Sequence, residues 1–494
     1  MKVKACKTAL STGTRPIKMN FPGIKRGMRR TEKQYGQKPG EKVSMHNESR
    51  HVDMLSGRPV LSIIQLALPM VAGNILQQVY NLADAFVVSS FIGADALGSI
   101  GATSSVQFLV LGFCIGCCAG FVIPVAQSTG ARDKQRTEKY IVNGICAASV
   151  LSLVMTVLCL AFSEGILDLL KTPSGLRADA GKYMVTLFIG IPCTYAYNLS
   201  AGILRAGGDS KTPFRWLTVS SVLNIGLDIL LVTVFHMGVQ GTAAATVFSQ
   251  AFSAALCFRS VYRNGMMPGR RGWRQHLDRA ACGHLLAMGV PTGLQYSVTA
   301  VGTIIVQSAN NALGSIYTTA FYTGSKIRQF FMCPFDAIAT GTSVFAAQNY
   351  GAHNPSRVRQ GIGKGVLLGV SYGAAAGIIL YALAGPFAGI FLSTENQVIL
   401  DAAVSYMRII GLFLWLLGVL NVCRMCIQGL GYTKLALGSG VIELIARVIL
   451  CYVWVPVYQF RAICMNEPAA WICAAAYVSL ICLYIIRKKG MNTN

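Results

Sequence analysis

The chain is a succession of long apolar blocks separated by short polar or basic stretches. About 20 apolar residues, rising 1.5 Å each, cross a hydrocarbon core of ~30 Å. Twelve blocks meet that length and are predicted to be membrane helices: 63–91, 97–126, 141–162, 184–204, 216–235, 241–258, 285–310, 318–347, 361–383, 404–427, 435–457 and 469–486. The first block breaks its own pattern. It reads LALPMVAGNILQQVYNLADAFVVSSFIG, and Asp84 lies well inside it. Asn74, Gln77, Asn81 and Asp84 recur at steps of three or four, so they share one helical face. An Asp at the centre of a membrane helix costs on the order of 2.5–3.5 kcal/mol on insertion scales. That face must therefore line a protein interior or a watery cavity, where a transport site is expected.

Composition agrees. The 494 residues are 53% hydrophobic and 13% charged, against about 25% charged in a soluble domain. Mean hydropathy is +0.51. The formal charge of +24 does not indicate nucleic acid, because the Lys and Arg fall in alternate loops. Basic loops lie at 132–136, 205–215, 263–279 and 357–364, with a basic end at 486–489. The positive-inside rule puts these loops and both termini on the cytoplasmic side of a multi-pass protein of the cell membrane. An even number of spans is consistent with that. The sixteen Cys are scattered through apolar blocks and imply no disulfide framework. Cys114, Cys117 and Cys118 share a stretch with Gly112, Gly116 and Gly120, the small-residue spacing that lets membrane helices approach closely. They read as packing thiols. Residues 1–53 are polar and basic and are expected to be a disordered cytoplasmic tail, and 490–494 form a C-terminal tail. Met54 opens MLSGRPVLSIIQLALP and reads as a natural start just before the first span.

The chain is an internal repeat. Pro69 matches Pro291 (291 − 69 = 222), Gln127 matches Gln348 (348 − 127 = 221) and Lys211 matches Lys434 (434 − 211 = 223). Each half holds six spans. An even number gives both halves the same orientation, so the repeats are parallel and related by an axis along the membrane normal. The expected fold is an all-α polytopic membrane protein. It has an N-lobe over 54–258, a cytoplasmic linker over 259–284 and a C-lobe over 285–489, packed around a central cleft. Such lobes put their sites near the midplane and alternate access by rocking.

Acids in the apolar blocks carry the candidate chemistry. Asp84 lies on the first span, and Asn224 and Asp228 lie four apart on one face of the fifth. The sixth offers Thr242 and Thr246. Carboxylates with amide and hydroxyl oxygens can hold Na⁺, or share protons, since neighbouring carboxylates cannot both ionise cheaply. The second half lacks the pair: position 84 maps near Val306 and 228 near 450–451. Glu443 and Arg447, four apart on the eleventh span, read as an internal salt bridge; Asp336 and Arg408 are left without a role. Candidates for the cleft wall are Met70, Gln77, Tyr80, Asn81, Tyr195, Tyr197, Asn198, Tyr296, Phe331 and Met332. Faces of this kind suit bulky organic cations through adaptable apolar contact and cation–π attraction.

On LALPMVAGNILQQVYNLADAFVV, QSTGARD, ILRAGGDSKTP and AAQNYGA, the chain resembles the multidrug and toxic compound extrusion (MATE) family over about 54–489. The resemblance is nearer the DinF-like branch, whose N-lobe cation site maps onto Asp84, Asn224, Asp228 and Thr246. It implies a monomeric antiporter that exports drugs or organic cations against inward Na⁺ or H⁺, without a cofactor and without enzymatic chemistry. The other branch needs acids on the seventh and tenth helices. The seventh span has none, and the tenth has Arg408 but no central acid. A lipid-linked oligosaccharide flippase of the same superfamily is the alternative.

Overall fold

A computed structural model describes residues 51–169, 172–269, 272–392 and 397–488. Those residues are helical, with no strand among them. Twelve long helices form the body: α1 (Pro59–Phe91), α2 (Ala94–Gly130), α3 (Lys134–Ala161), α4 (Ser174–Ile189 continued by Ile191–Ala206), α5 (Lys211–Ile229), α6 (Gly238–Arg263), α7 (Arg279–Asn311), α8 (Ser315–Gly351), α9 (Pro355–Ala382), α10 (Gln397–Gly429), α11 (Thr433–Ile449) and α12 (Phe460–Lys488). Among the described residues ten are long and apolar enough to cross a membrane, and the two parts of α4, bent by 45° at Gly190, make an eleventh when counted as one span. The twelfth is α7, whose 33 residues equal those of its repeat mate α1. The helices run past the predicted blocks at most ends, because polar turns continue them beyond the apolar stretch.

The repeat is written into the backbone. Arg132 and His353 both take a left-handed turn (353 − 132 = 221), as do His236 and Gln459 (459 − 236 = 223). Helix starts repeat too. Asp133 accepts a hydrogen bond from the Arg136 amide (2.9 Å), and Asn354 accepts one from the Arg357 amide (3.2 Å). Each satisfies an amide that the first helical turn leaves unpaired. Lengths match in pairs: 37 residues for α2 and α8, 28 for α3 and α9.

Two seams join the lobes. Along α2 and α7 the backbones nearly touch. A Cβ at Gly120 would meet the Gly289 Cα at 2.5 Å, and one at Gly116 would meet the Gly293 Cα at 2.8 Å. The closely spaced glycines thus form an inter-lobe joint, and Cys117 packs into it against Gly293. Along α1 and α8, Met70 and Ala67 pack on Ala337, and Asn74 donates to the Cys333 carbonyl (3.3 Å). From Asn74 to Phe86 no residue of α1 is buried. The lobes therefore part beyond that level, leaving a cleft that opens away from the basic loops.

On the basic side the lobes are clasped. Gln127 donates to the Gly429 carbonyl (2.9 Å), and its repeat mate Gln348 donates to the Ala206 carbonyl (2.6 Å). Gly130 lies against the Gln348 backbone and Gly351 against that of Gln127. Residues 51–58 bridge the same side. The Val52 amide donates to the Gly208 carbonyl (3.0 Å), while Asn349 and Arg357 hold the Met54 carbonyl (2.9 and 3.3 Å). The expected tail boundary at residue 53 therefore falls late. His51–Asp53 are part of the fold, because Asp53 caps the turn that follows by accepting from the Leu55 amide (2.8 Å). The rest of that expected tail lies outside the described residues.

The linker is shorter than expected, because α6 continues to Arg263 and α7 begins at Arg279. Its end is pinned to α3 of the N-lobe. Asp278 pairs with Lys139, and Asn143 bonds both the His276 carbonyl (2.8 Å) and the Asp278 amide (3.0 Å).

Candidate functional site

Helix α1 supplies Asp84 and α5 supplies Asn224 and Asp228, one turn apart on a single face. Asp228 and Asn224 are fully buried. The Asp84 and Asp228 carboxyl groups lie within hydrogen-bonding reach of each other. Among the described residues no donor reaches Asp84 Oδ1 or either oxygen of Asp228, and both side-chain polar atoms of Asn224 are also unpaired. Five buried polar atoms without partners in one place form an unusual concentration, since buried polar groups are almost always bonded. Two carboxylates face to face repel, and at membrane depth each costs a few kcal/mol alone. A proton held between them, or a small cation coordinated by their oxygens, removes both penalties. The donor set is hard oxygen with one amide, which suits H⁺ or Na⁺ and offers nothing to a soft metal.

Tyr80 on α1 and Tyr183 on α4 lie within electrostatic range of both carboxyls, and Gln77 is within hydrogen-bonding reach of the Tyr80 hydroxyl. Tyr183 escaped the sequence reading. A tyrosine in a membrane helix carries no signal by itself, and α4 meets α1 only through the tertiary fold.

The other candidates separate. Gln77 and Asn81 are exposed on the part of α1 that stands free of the second lobe. Thr246 spends its hydroxyl on its own helix, donating to the Thr242 carbonyl (3.0 Å), although α6 packs along α5. Asn198 likewise donates back to the Thr194 carbonyl (2.8 Å). Two expectations of a cleft-wall position do not hold. Tyr195 is 1% exposed and sits in the N-lobe core with Cys114, Cys117 and Cys118. Met70 is 8% exposed and packs in the α1–α8 seam. Aromatic and Met side chains suit a core as well as a cleft, so residue type alone could not separate the two.

The C-lobe holds a second polar network. Glu443 on α11 pairs with Arg424 on α10, and Arg447 approaches it from the next turn (3.9 Å). The expected Glu443–Arg447 bridge is therefore the weaker half of a three-residue cluster. Arg447 also donates to Thr303 Oγ1 (3.0 Å) on α7. Arg328 on α8 pairs with Glu467 on α12. Each carboxylate here is neutralised by a guanidinium, the reverse of the N-lobe arrangement. Asp336 lies apart from these pairs, where Asn421 Nδ2 is 3.5 Å from its Oδ1. Arg408 stands over the Tyr381 ring at 5.5 Å, on the surface.

The sequence model of the MatE family matches residues 69–230 and 291–453, one stretch in each lobe. The probable multidrug resistance protein YpnP of Bacillus subtilis (strain 168) is 29% identical over 306 residues, 62% of this chain and 68% of that protein. The DNA damage-inducible protein F of Escherichia coli (strain K12) is 26% identical over 304 residues, 59% of this chain and 64% of that protein. Among solved structures, a MOP superfamily transporter from Pyrococcus furiosus superposes with a TM-score of 0.83 at 22% identity, covering 90% of this chain and 99% of the other. Both halves of the chain carry the family pattern, and the two-lobed fold is shared over nearly its whole length. The chain is a non-enzymatic membrane transporter and belongs to the MATE family, with the DinF protein among its relatives.

Proposed function

We propose that this protein is a secondary active exporter. It exchanges amphipathic, mostly cationic organic compounds for inward-moving Na⁺ or H⁺ by alternating access, as a monomer in the cell membrane. One observation carries the coupling half of this reading: the Asp84 and Asp228 carboxyls face each other without a counter-charge, beside an unbonded Asn224. Such a site favours occupation by one cation, and release of that cation leaves a repulsive pair. A packing of α1 against α5 within the N-lobe that separates Asp84 from Asp228 tolerates the empty state better than one that holds them together. Ion exchange is thereby linked to which way the cleft opens. The positive-inside rule makes the clasped side cytoplasmic. The cleft in this conformation then faces outward, the state that releases drug and takes up the ion.

Efflux of ethidium from proteoliposomes under a ΔpH alone, and separately under a Na⁺ gradient alone, tests the reading and names the ion. Gradient-driven efflux under one of the two is expected. Lipid scrambling with no dye movement under either gradient would reject the exporter in favour of the flippase.

A further inference from the structure

Among the described residues, five acids lie beyond the first two turns of the long helices. Asp84 and Asp228 face each other, Glu443 is paired with Arg424, and Glu467 is paired with Arg328. The fifth, Asp336, has no ion-pair partner among the described residues. It is deep in the molecule, yet its side chain is open to space. Both conditions are met together only in an internal cleft. Its position on α8 fixes where. Cys333, one turn before it, receives the bond from Asn74, and Ala337, next to it, packs on Met70. Asp336 therefore lies where the α1–α8 seam ends and the cleft begins, at the cleft floor.

The groups around it leave its charge unspent. Arg424 is within electrostatic range, but its guanidinium is engaged by Glu443. Tyr296 on α7 and Cys333 on the same helix are the other titratable groups that sense it, and both are neutral as phenol and thiol. Asn421 contributes an amide at the limit of hydrogen-bonding distance. A lone carboxylate with a phenol and an amide beside it, at the floor of a cleft, is a receptor for an organic ammonium or iminium group.

We propose that Asp336 is the carboxylate that recognises the cationic end of the transported molecule. Substrate recognition then lies on the C-lobe wall and ion coupling inside the N-lobe. The two are well separated: Met70 is level with Ala337, and Asp84 lies fourteen residues further along α1 (84 − 70 = 14), about 20 Å at 1.5 Å per residue. The proposal rests on the exporter reading and specifies which residue selects the substrate.

Ethidium binding to purified protein in nanodiscs, followed by fluorescence anisotropy, is the direct test. Asp336→Asn is nearly isosteric and removes an unpaired charge from the membrane interior, so it is expected to fold and elute as the wild type does. Loss of a charge-assisted contact should raise the ethidium Kd about ten- to hundredfold. Asp336→Glu should recover part of the affinity, which a merely structural role would not predict. An unchanged Kd in Asp336→Asn would overturn the assignment and leave the exporter reading standing. No ethidium binding or movement by the wild type would overturn both.

Discussion

The clasp on the basic side gives a sharp prediction. Gly130 and Gly351 are repeat mates (351 − 130 = 221), and each lies against the backbone of the opposite lobe's glutamine. A methyl group at either position meets backbone atoms of Gln348 or Gln127, which cannot rotate aside as a side-chain tip would. Overpacking of this kind costs about 1–3 kcal/mol. The cost applies only while the lobes are clasped. Once this side opens the two helix ends separate and the clash is relieved. Gly130→Ala and Gly351→Ala should each shift the balance away from the clasped state about 5- to 150-fold. Hydrogen–deuterium exchange of residues 127–133 and 348–354 in nanodiscs reads this directly. Both segments should exchange faster in either variant, because opening exposes both. Wild-type protection in both segments, together with a lowered melting temperature, would refute the reasoning: the glycines would then be packing residues that do not distinguish the states.

Replacing either member of the N-lobe pair should cost nearly all gradient-driven efflux, and Asp84→Asn/Asp228→Asn should be little worse than either single change, since residues that act as a unit are non-additive. Additive losses in proteoliposome assays would make the pair a strut. Glu443→Gln leaves Arg424 and Arg447 without their shared acid and should destabilise the protein by about 3–5 kcal/mol, read as a fall in melting temperature in detergent. A chain beginning at His51 keeps the Val52–Gly208 bond and the carbonyls that Arg357 grips, so it should pump normally. One beginning at Arg58 loses them and should exchange faster at residues 348–354.

What the sequence made legible follows from what the bilayer forces on it. Fixed thickness imposes span length, so twelve helices could be counted. Repeated offsets of 221–223 exposed the two lobes because corresponding helices keep the same lengths in both halves. Asp84 and Asp228 were visible because an acid is costly there and therefore rare. The Arg424–Glu443 pair was not, although both residues lie in predicted spans. They are nineteen residues apart on neighbouring helices, beyond the reach of any one-helix spacing rule. The sequence offered Arg447, four residues along, as the nearer partner, and only the packing of α10 on α11 corrects the choice. Asp336 was left without a role for a related reason: its meaning depends on the absence of a partner, and an absence is visible only in three dimensions.

The repeat also separates the fold's features from the site's. A π turn, Leu230–Val234, directly follows Asp228, and such turns often mark functional positions. The C-lobe has the same turn at Leu450–Trp454, where no acid precedes it. The turn is therefore a property of the backbone that both lobes share, and the proposed ion site lies in what they do not share. Shifted by 222 or 223 residues, Asn81, Asp84, Asn224 and Asp228 become Thr303, Val306, Arg447 and Cys451. In the C-lobe, then, a guanidinium stands at the place of Asn224 and bonds the residue that stands at the place of Asn81. Arg447 is a cation tethered by its own backbone, balanced by Glu443. The N-lobe has the complementary arrangement, two acids and no base. A tethered cation cannot be exchanged across the membrane, so the same architecture that gives both lobes a polar pocket leaves the proposed ion exchange to the N-lobe alone.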